Sequence, residues 1–178
     1  MEMQRFPISI FLLFPIVLGL LVTSTGVSLV ELEAEALFNW KTSLNASNLD
    51  SWFLNFANRT SHCGWAGVRC DNGGRIIEIK LFNFGLRGTL DELNFLSLPY
   101  FTHLNLSSNN LEGRIPNSIG TLSNLSVLDL GSNIFTGLVP VEIGNLTELH
   151  SISLKSNSLS GSIPYHLGKL KQVWLKTT

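Results

Sequence analysis

The side chains able to do chemistry are few, and they form no reactive set. The four histidines, His62, His103, His150 and His166, fall at no metal-ligand spacing. No Gly-rich loop follows a strand as a phosphate or dinucleotide cradle would, and neither a Gly-x-Ser-x-Gly elbow nor a kinase signature occurs. The chain is therefore expected to bind rather than to catalyse, with no metal and no cofactor. Cys63 and Cys70 are an even pair seven positions apart. In an exported chain they predict one disulfide closing a small loop, worth about 2 kcal/mol. Five Asn-x-Ser/Thr sequons, at Asn45, Asn58, Asn105, Asn124 and Asn145, offer amides to N-linked sugar in the same setting.

Export is what gives those cysteines and sequons meaning. Arg5 supplies a positive start, Ile8 to Val22 form an apolar run, and Thr23 to Ser28 supply small residues for cleavage, so residues 1–28 predict a secretory signal. A membrane anchor is the rival reading. It is disfavoured because a spanning helix needs about 20 apolar residues and Pro15 interrupts this shorter run. The formal net charge of -1 leaves no basic excess for a phosphate backbone, which argues against a nucleic-acid partner.

The remaining chain must position whatever binds, and it does so by repetition. Phe101, Leu125, Leu149 and Val173 are spaced by 24, as are Leu104, Leu128 and Ile152, and Leu106, Leu130 and Leu154. Asn109, Asn133 and Asn157 keep the same register, followed by Leu111, Phe135 and Leu159, then Gly113, Gly137 and Gly161, then Ile-Pro or Val-Pro. Alternation in Leu104-Asn105-Leu106 and its copies predicts short strands with leucines inward. The three asparagines should form a ladder, pairing backbone groups where the chain leaves each strand. The glycines permit a tight bend. An earlier, degenerate copy carries Ile76, Ile79, Leu81, Leu86, Gly88 and Leu90 at an offset of 25, with Phe84 in the ladder column.

These columns are scaffold, so contact with a partner falls to the outward strand positions. They read across the copies as Glu78, His103, Val127 and Ser151; Lys80, Asn105, Asp129 and Ser153; Phe82, Ser107, Gly131 and Lys155; and Asn83, Ser108, Ser132 and Ser156. Small, polar and varied, they predict a shallow hydrogen-bonding face, with Lys80, Asp129 and Lys155 available to charges on an extended ligand. A glycan on Asn105 would stand on that face. Upstream, Leu29, Leu32, Ala36, Trp40 and Leu44 recur at helical spacing, with Glu31, Glu33 and Glu35 near the helix start where the dipole favours negative charge. Asp71-Asn72-Gly73-Gly74 reads as a turn between two strand-like runs. Helix and hairpin together should cap the first repeat, with Trp40, Trp52 and Trp65 in its core.

The repeat Leu-x-x-Leu-x-Leu-x-x-Asn-x-Leu-x-Gly-x-Ile-Pro resembles the plant-specific class of extracellular leucine-rich repeats. The segment Glu35-Ala36-Leu37 to Trp40-Lys41, with Ser51-Trp52 and Cys63-Gly64-Trp65-Ala66-Gly67-Val68-Arg69-Cys70, resembles that class's N-terminal cap. The fold implied is an α/β leucine-rich-repeat solenoid: a short right-handed superhelix with parallel strands on the concave face and 3-10 or loop segments on the convex face, behind a helix-plus-hairpin cap. The resemblance further implies a second small sheet at the Leu-x-Gly-x-Ile-Pro segment. It implies a peptide, glycan or protein ligand, or a co-receptor ectodomain, on the concave face of a secreted or cell-surface protein. The expected organisation is a signal over 1–28, a cap over 29–74, the degenerate repeat over 75–98, three repeats over 99–172 and the start of another over 173–178.

The degenerate repeat, ending Phe84-Gly85-Leu86-Arg87-Gly88-Thr89-Leu90, most resembles the receptor-kinase group. The leading expectation is thus a recognition module from a receptor-like kinase or receptor-like protein. The alternative is a secreted inhibitor of a microbial wall-degrading enzyme, similar to polygalacturonase inhibitors. Because the register breaks at Lys176, a piece of a longer ectodomain is expected, attached to a membrane only through a further C-terminal segment.

Overall fold

The computed structural model describes residues 28–46, 48–55, 61–162, 164 and 167. The signal segment up to residue 27, the sequon at Asn58, His166 and the final register with Val173 lie outside them. Helix α1 spans Leu29–Ser43. It starts where the Ser28 hydroxyl accepts the Glu31 N–H and the Glu31 carboxylate accepts the Ser28 N–H, a reciprocal pairing that satisfies two helix-start donors.

The face that α1 buries differs from the expected stripe. Leu29 and Leu32 are 54% and 39% exposed, while Glu33, Ala34, Ala36, Leu37 and Trp40 are buried. The helix packs through the 33, 36, 37, 40 series, which has the same periodicity shifted by about one residue. Glu33 therefore does not serve the helix dipole at a solvated start. Its carboxylate is inside, accepting the backbone N–H of Ile76 at 2.6 Å.

Strands β1 (Val68–Cys70) and β2 (Ile76–Lys80) form an antiparallel hairpin. Asp71 Oδ1 closes the turn by accepting the N–H groups of Gly73 and Arg75. Parallel to β2 run β4 (His103–Asn105), β6 (Val127–Asp129) and β8 (Ser151–Ser153), giving a five-stranded sheet ordered β1-β2-β4-β6-β8. A second sheet, β3 (Arg87–Gly88), β5 (Asn110–Arg114), β7 (Ile134–Leu138) and β9 (Ser158–Ser160), follows the turn out of each concave strand. Short 3-10 turns, Phe95–Ser97, Asn117–Thr121 and Val141–Asn145, carry the chain back.

Between these walls lies one apolar core. Leu104, Leu128 and Ile152 point into it, as do Leu106, Leu130, Phe101, Leu125, Leu111 and Phe135. No single coil could bury these faces alone, so stacking supplies the stability. The asparagines hold the coils together. Asn133 Nδ2 donates to Leu106 O at 2.9 Å in the preceding coil and to Leu130 O at 3.1 Å in its own, while its Oδ1 accepts the Leu111 N–H at 3.0 Å. Asn109 and Asn157 repeat the pattern one coil either side. Gly113, Gly137 and Gly161 follow with φ of +79°, +77° and +79°, a conformation that a Cβ would strain.

The cap closes both sheets, by different means. Strand β1 occupies the outer edge of β2, and the Asn45 N–H donates to Arg87 O at 2.9 Å beside β3. Trp52 stacks on Trp65 with ring centroids 5.4 Å apart and meets Trp40 at 6.3 Å. The indoles of Trp40 and Trp52 donate to Thr89 O and Ala66 O. A disulfide joins Cys63 to Cys70.

Candidate recognition surface

Adjacent concave strands pair with their outward residues in line: Glu78, His103, Val127 and Ser151 in one row, and Lys80, Asn105, Asp129 and Ser153 in the next. Strand spacing puts members of a row about 4.8 Å apart, close enough for one extended ligand to touch several. Along the first row His103 is half-buried, with Nδ1 2.8 Å from Thr102 Oγ1, and Val127 and Ser151 are half-buried as well.

Glu78 departs from its expected role. It is only 3% exposed, because β1 crosses beside it and places Arg69 opposite, and Arg69 and Lys80 both form ion pairs with it. Burial pushes its carboxyl up. Hydrogen bonds from Lys80 and Arg69, and their charges, outweigh burial and hold it below its ordinary value. Its capacity is used within the protein, so Lys80 rather than Glu78 faces solvent.

In the second and third rows the same turn appears twice with different chemistry. Asn105 Oδ1 accepts the Ser107 N–H at 3.0 Å and the Ser107 hydroxyl at 2.7 Å. One strand along, Asp129 Oδ1 accepts the Gly131 N–H at 3.0 Å. Ser107 is buried, against the expectation of an outward contact, because its hydroxyl folds back onto Asn105. A Cβ on Gly131 would lie 3.0 Å from Ser153 Oγ and 3.2 Å from both Asp129 Oδ1 and Lys155 Cγ. Glycine at this position thus lets three polar side chains converge on the floor. Phe82, 58% exposed, and Lys155, also exposed, stand at opposite ends of that row.

The fourth row is a turn rather than a contact surface. Asn83, Ser108, Ser132 and Ser156 have φ of +57°, +58°, +54° and +55°. This left-handed step swings the chain off the strand ahead of each ladder position. A repeated serine gave no hint of it, since positive φ favours glycine and asparagine. Arg69 was also missed, although the alternation of the β1 run set it opposite the Glu78 strand.

The sequons are spread around the coil. Asn45, Asn124 and Asn145 are exposed away from the concave rows, with Asn124 Nδ2 donating to Pro99 O at 2.7 Å, whereas Asn105 lies on the concave strand. His62 is buried with Nε2 2.9 Å from Gly74 O. It adjoins Cys63 and Cys70, but their sulfurs are bonded to each other, leaving no thiolate for a metal. Among the described residues, no helix is long and apolar enough to cross a membrane.

The leucine rich repeat N-terminal domain family matches residues 30–71, and the leucine rich repeat family matches 100–122, 124–146 and 148–170. A solved chain in the BIR3–SERK2 complex of Arabidopsis thaliana is 32% identical with a TM-score of 0.70, over 80% of this chain and 81% of that one. The chain belongs to the leucine-rich-repeat family of plant receptor ectodomains. The chain is also similar to the ectodomain of the membrane receptor kinase GASSHO1/SCHENGEN3 from Arabidopsis thaliana, solved with Casparian strip integrity factor 2. There the identity is 33% and the TM-score 0.68, over 82% of this chain and 17% of that one. The leucine-rich repeat receptor-like serine/threonine-protein kinase RGI4 of Arabidopsis thaliana is 38% identical over 128 residues, 71% of this chain and 12% of the relative. The chain spans 9% to 12% of the length of the first curated relatives it matches, and the solved likenesses are to ectodomains.

Proposed function

We propose that the concave sheet recognises a peptide, glycan or protein ligand, or a co-receptor ectodomain, outside the cell, as the cap-proximal part of a receptor-like kinase or receptor-like protein. One observation carries this reading. Over an inward scaffold that stays apolar in every copy, the second outward row changes chemistry at every strand, from Lys80 through Asn105 and Asp129 to Ser153. Scaffold alone needs no such variation. Two neighbours lend support: one was solved with a bound factor and the other in a complex between two proteins. The relatives named as kinases are receptors, which favours this reading over the secreted inhibitor.

Recognition on one face is tested by moving charge on that face alone. The full chain, secreted from plant cells, would be presented on a sensor to the SERK2 ectodomain and to Casparian strip integrity factor 2. Asp129→Lys combined with Ser153→Trp should weaken any binding at least about tenfold, on the scale of one to three lost contacts. Glu148→Lys, exposed before β8, should leave it unchanged. Equal losses from both variants, or binding untouched by the concave pair, would overturn the proposal.

A further inference from the structure

Asn105 and Asp129 occupy the same place on adjacent strands, and each uses one side-chain oxygen to accept the N–H two residues on, at 3.0 Å. The fold therefore asks only for an acceptor oxygen there, and a carboxylate meets that need as well as an amide. Two features of the Asn105 copy exceed the need. Its Nδ2 donates to no protein group among the described residues, and position 107 carries a hydroxyl where the next copy has Gly131. An asparagine amide on the concave strand, with a serine two residues on, is the acceptor arrangement for N-linked oligosaccharide.

A second anomaly lies beside it. Phe82 is 58% exposed on an otherwise small and polar surface, with no ring partner among the described residues. Lys80 pairs directly with Asn105, and Phe82 follows two residues on, in the turn that leaves β2 beside Ser107, where the Asn83 N–H donates to Ser107 O. A first sugar attached at Nδ2 would extend toward that turn and could lay its apolar face on the ring.

We propose that Asn105 carries an N-linked glycan whose first sugar rests on Phe82. The glycan closes the cap-proximal half of the concave face and leaves ligand reading to Asp129, Ser153 and Lys155. In the transfer, Nδ2 bonds to the sugar C1 of a lipid-pyrophosphate-linked oligosaccharide. The C1–O bond to pyrophosphate breaks, Nδ2 gives up one proton, and the lipid pyrophosphate leaves. In the folded product Oδ1 keeps its bond to the Ser107 N–H, so the sugar is carried without loss of a fold contact. Transfer requires passage through the secretory route, so this inference rests on the extracellular reading above.

The test uses the full chain secreted from plant cells. Enzymatic removal of N-glycans in heavy-oxygen water followed by peptide mass spectrometry should mark Asn105 in most molecules. Asn105→Asp, which keeps the acceptor oxygen as Asp129 does, should lose the mark, stay folded, and open the Lys80–Phe82 end to protease and solvent probes. In proton NMR the first sugar's resonances should be displaced by the aromatic ring, and Phe82→Ala should abolish that displacement while leaving occupancy intact. Asn105 bare while Asn45, Asn124 or Asn145 is occupied would overturn the glycan but spare the extracellular reading. No secreted, sugar-bearing protein at all would overturn both. An occupied Asn105 with resonances indifferent to Phe82→Ala would overturn the closure of the cap-proximal half.

Discussion

The repeats and the cap solve the same problem with opposite vocabularies. In the coils, buried backbone groups at each strand exit are met by one residue type at one spacing: Asn109, Asn133 and Asn157. In the cap, backbone groups are met singly, each by a different side chain. Glu33 serves the Ile76 N–H, Trp40 the Thr89 carbonyl, Trp52 the Ala66 carbonyl, Lys41 the Trp52 carbonyl, and Asn48 the Phe84 carbonyl where the ladder has no asparagine. A repeated solution divides its cost among copies, whereas a singular one has no substitute. The two regions should therefore respond differently to truncation.

The largest effect is expected in the cap. Trp52→Ala removes a fully buried ring between Trp40 and Trp65 and should cost about 3–5 kcal/mol in denaturant unfolding. A loss under 1 kcal/mol would mean that the tryptophan stack is not the cap's centre. In the coils, Asn133→Ala should cost about 1–3 kcal/mol through unpaired backbone groups, while Ser132→Ala next to it should stay within about 0.5 kcal/mol. Equal shifts from these two would defeat the ladder's register.

Acidity sharpens the contrast further, since among the described residues the cap alone holds a buried carboxyl with an unmatched oxygen. Burial pushes Glu33 from 4.5 up to about 7; the Ile76 N–H opposes this, Asp71 adds to it, and Arg75 works against it. Its second oxygen, Oε1, meets no partner among the described residues. Between pH 4.5 and 7 the folded chain keeps a proton that the unfolded chain releases. Stability should therefore fall as pH rises through that window, by no more than about 3 kcal/mol, and level off above it. Glu33→Gln should flatten the profile while keeping an acceptor for Ile76. A profile unchanged by Glu33→Gln would assign the dependence to other groups. The smallest effect belongs to the misplaced stripe: Leu32→Ser should shift unfolding by no more than about 0.5 kcal/mol.

What could be read in the sequence follows the same division. The coils announced themselves because a period of 24 writes each buried position several times, so a single departure such as Phe84 stood out as well. The cap's residues appear once, and a helical stripe can be drawn one residue off when an acidic side chain sits on the buried face. The series Glu33, Ala36, Leu37, Trp40 was available, but a glutamate is ordinarily placed in water. Glu78 was obscured for a related reason: its exposure depends on β1, which lies outside the repeat. The pairing of the second sheet was illegible too. Its neighbours, such as Glu112 and Ile134, lie 22 positions apart while concave neighbours such as His103 and Val127 lie 24 apart, and no column of identities records that stagger.

Sealing by β1 and Asn45 has a consequence for how such a molecule can change over generations. Both sheets are blocked on the cap side, yet each coil beyond the first meets its neighbours through the same rows of leucine and asparagine. Duplication or loss of a whole 24-residue unit between β4 and β8 would leave every cap contact untouched. Reach can thus be altered by gene duplication in discrete increments, each bringing a fresh set of outward positions for selection to act on, while the closed end is inherited unaltered.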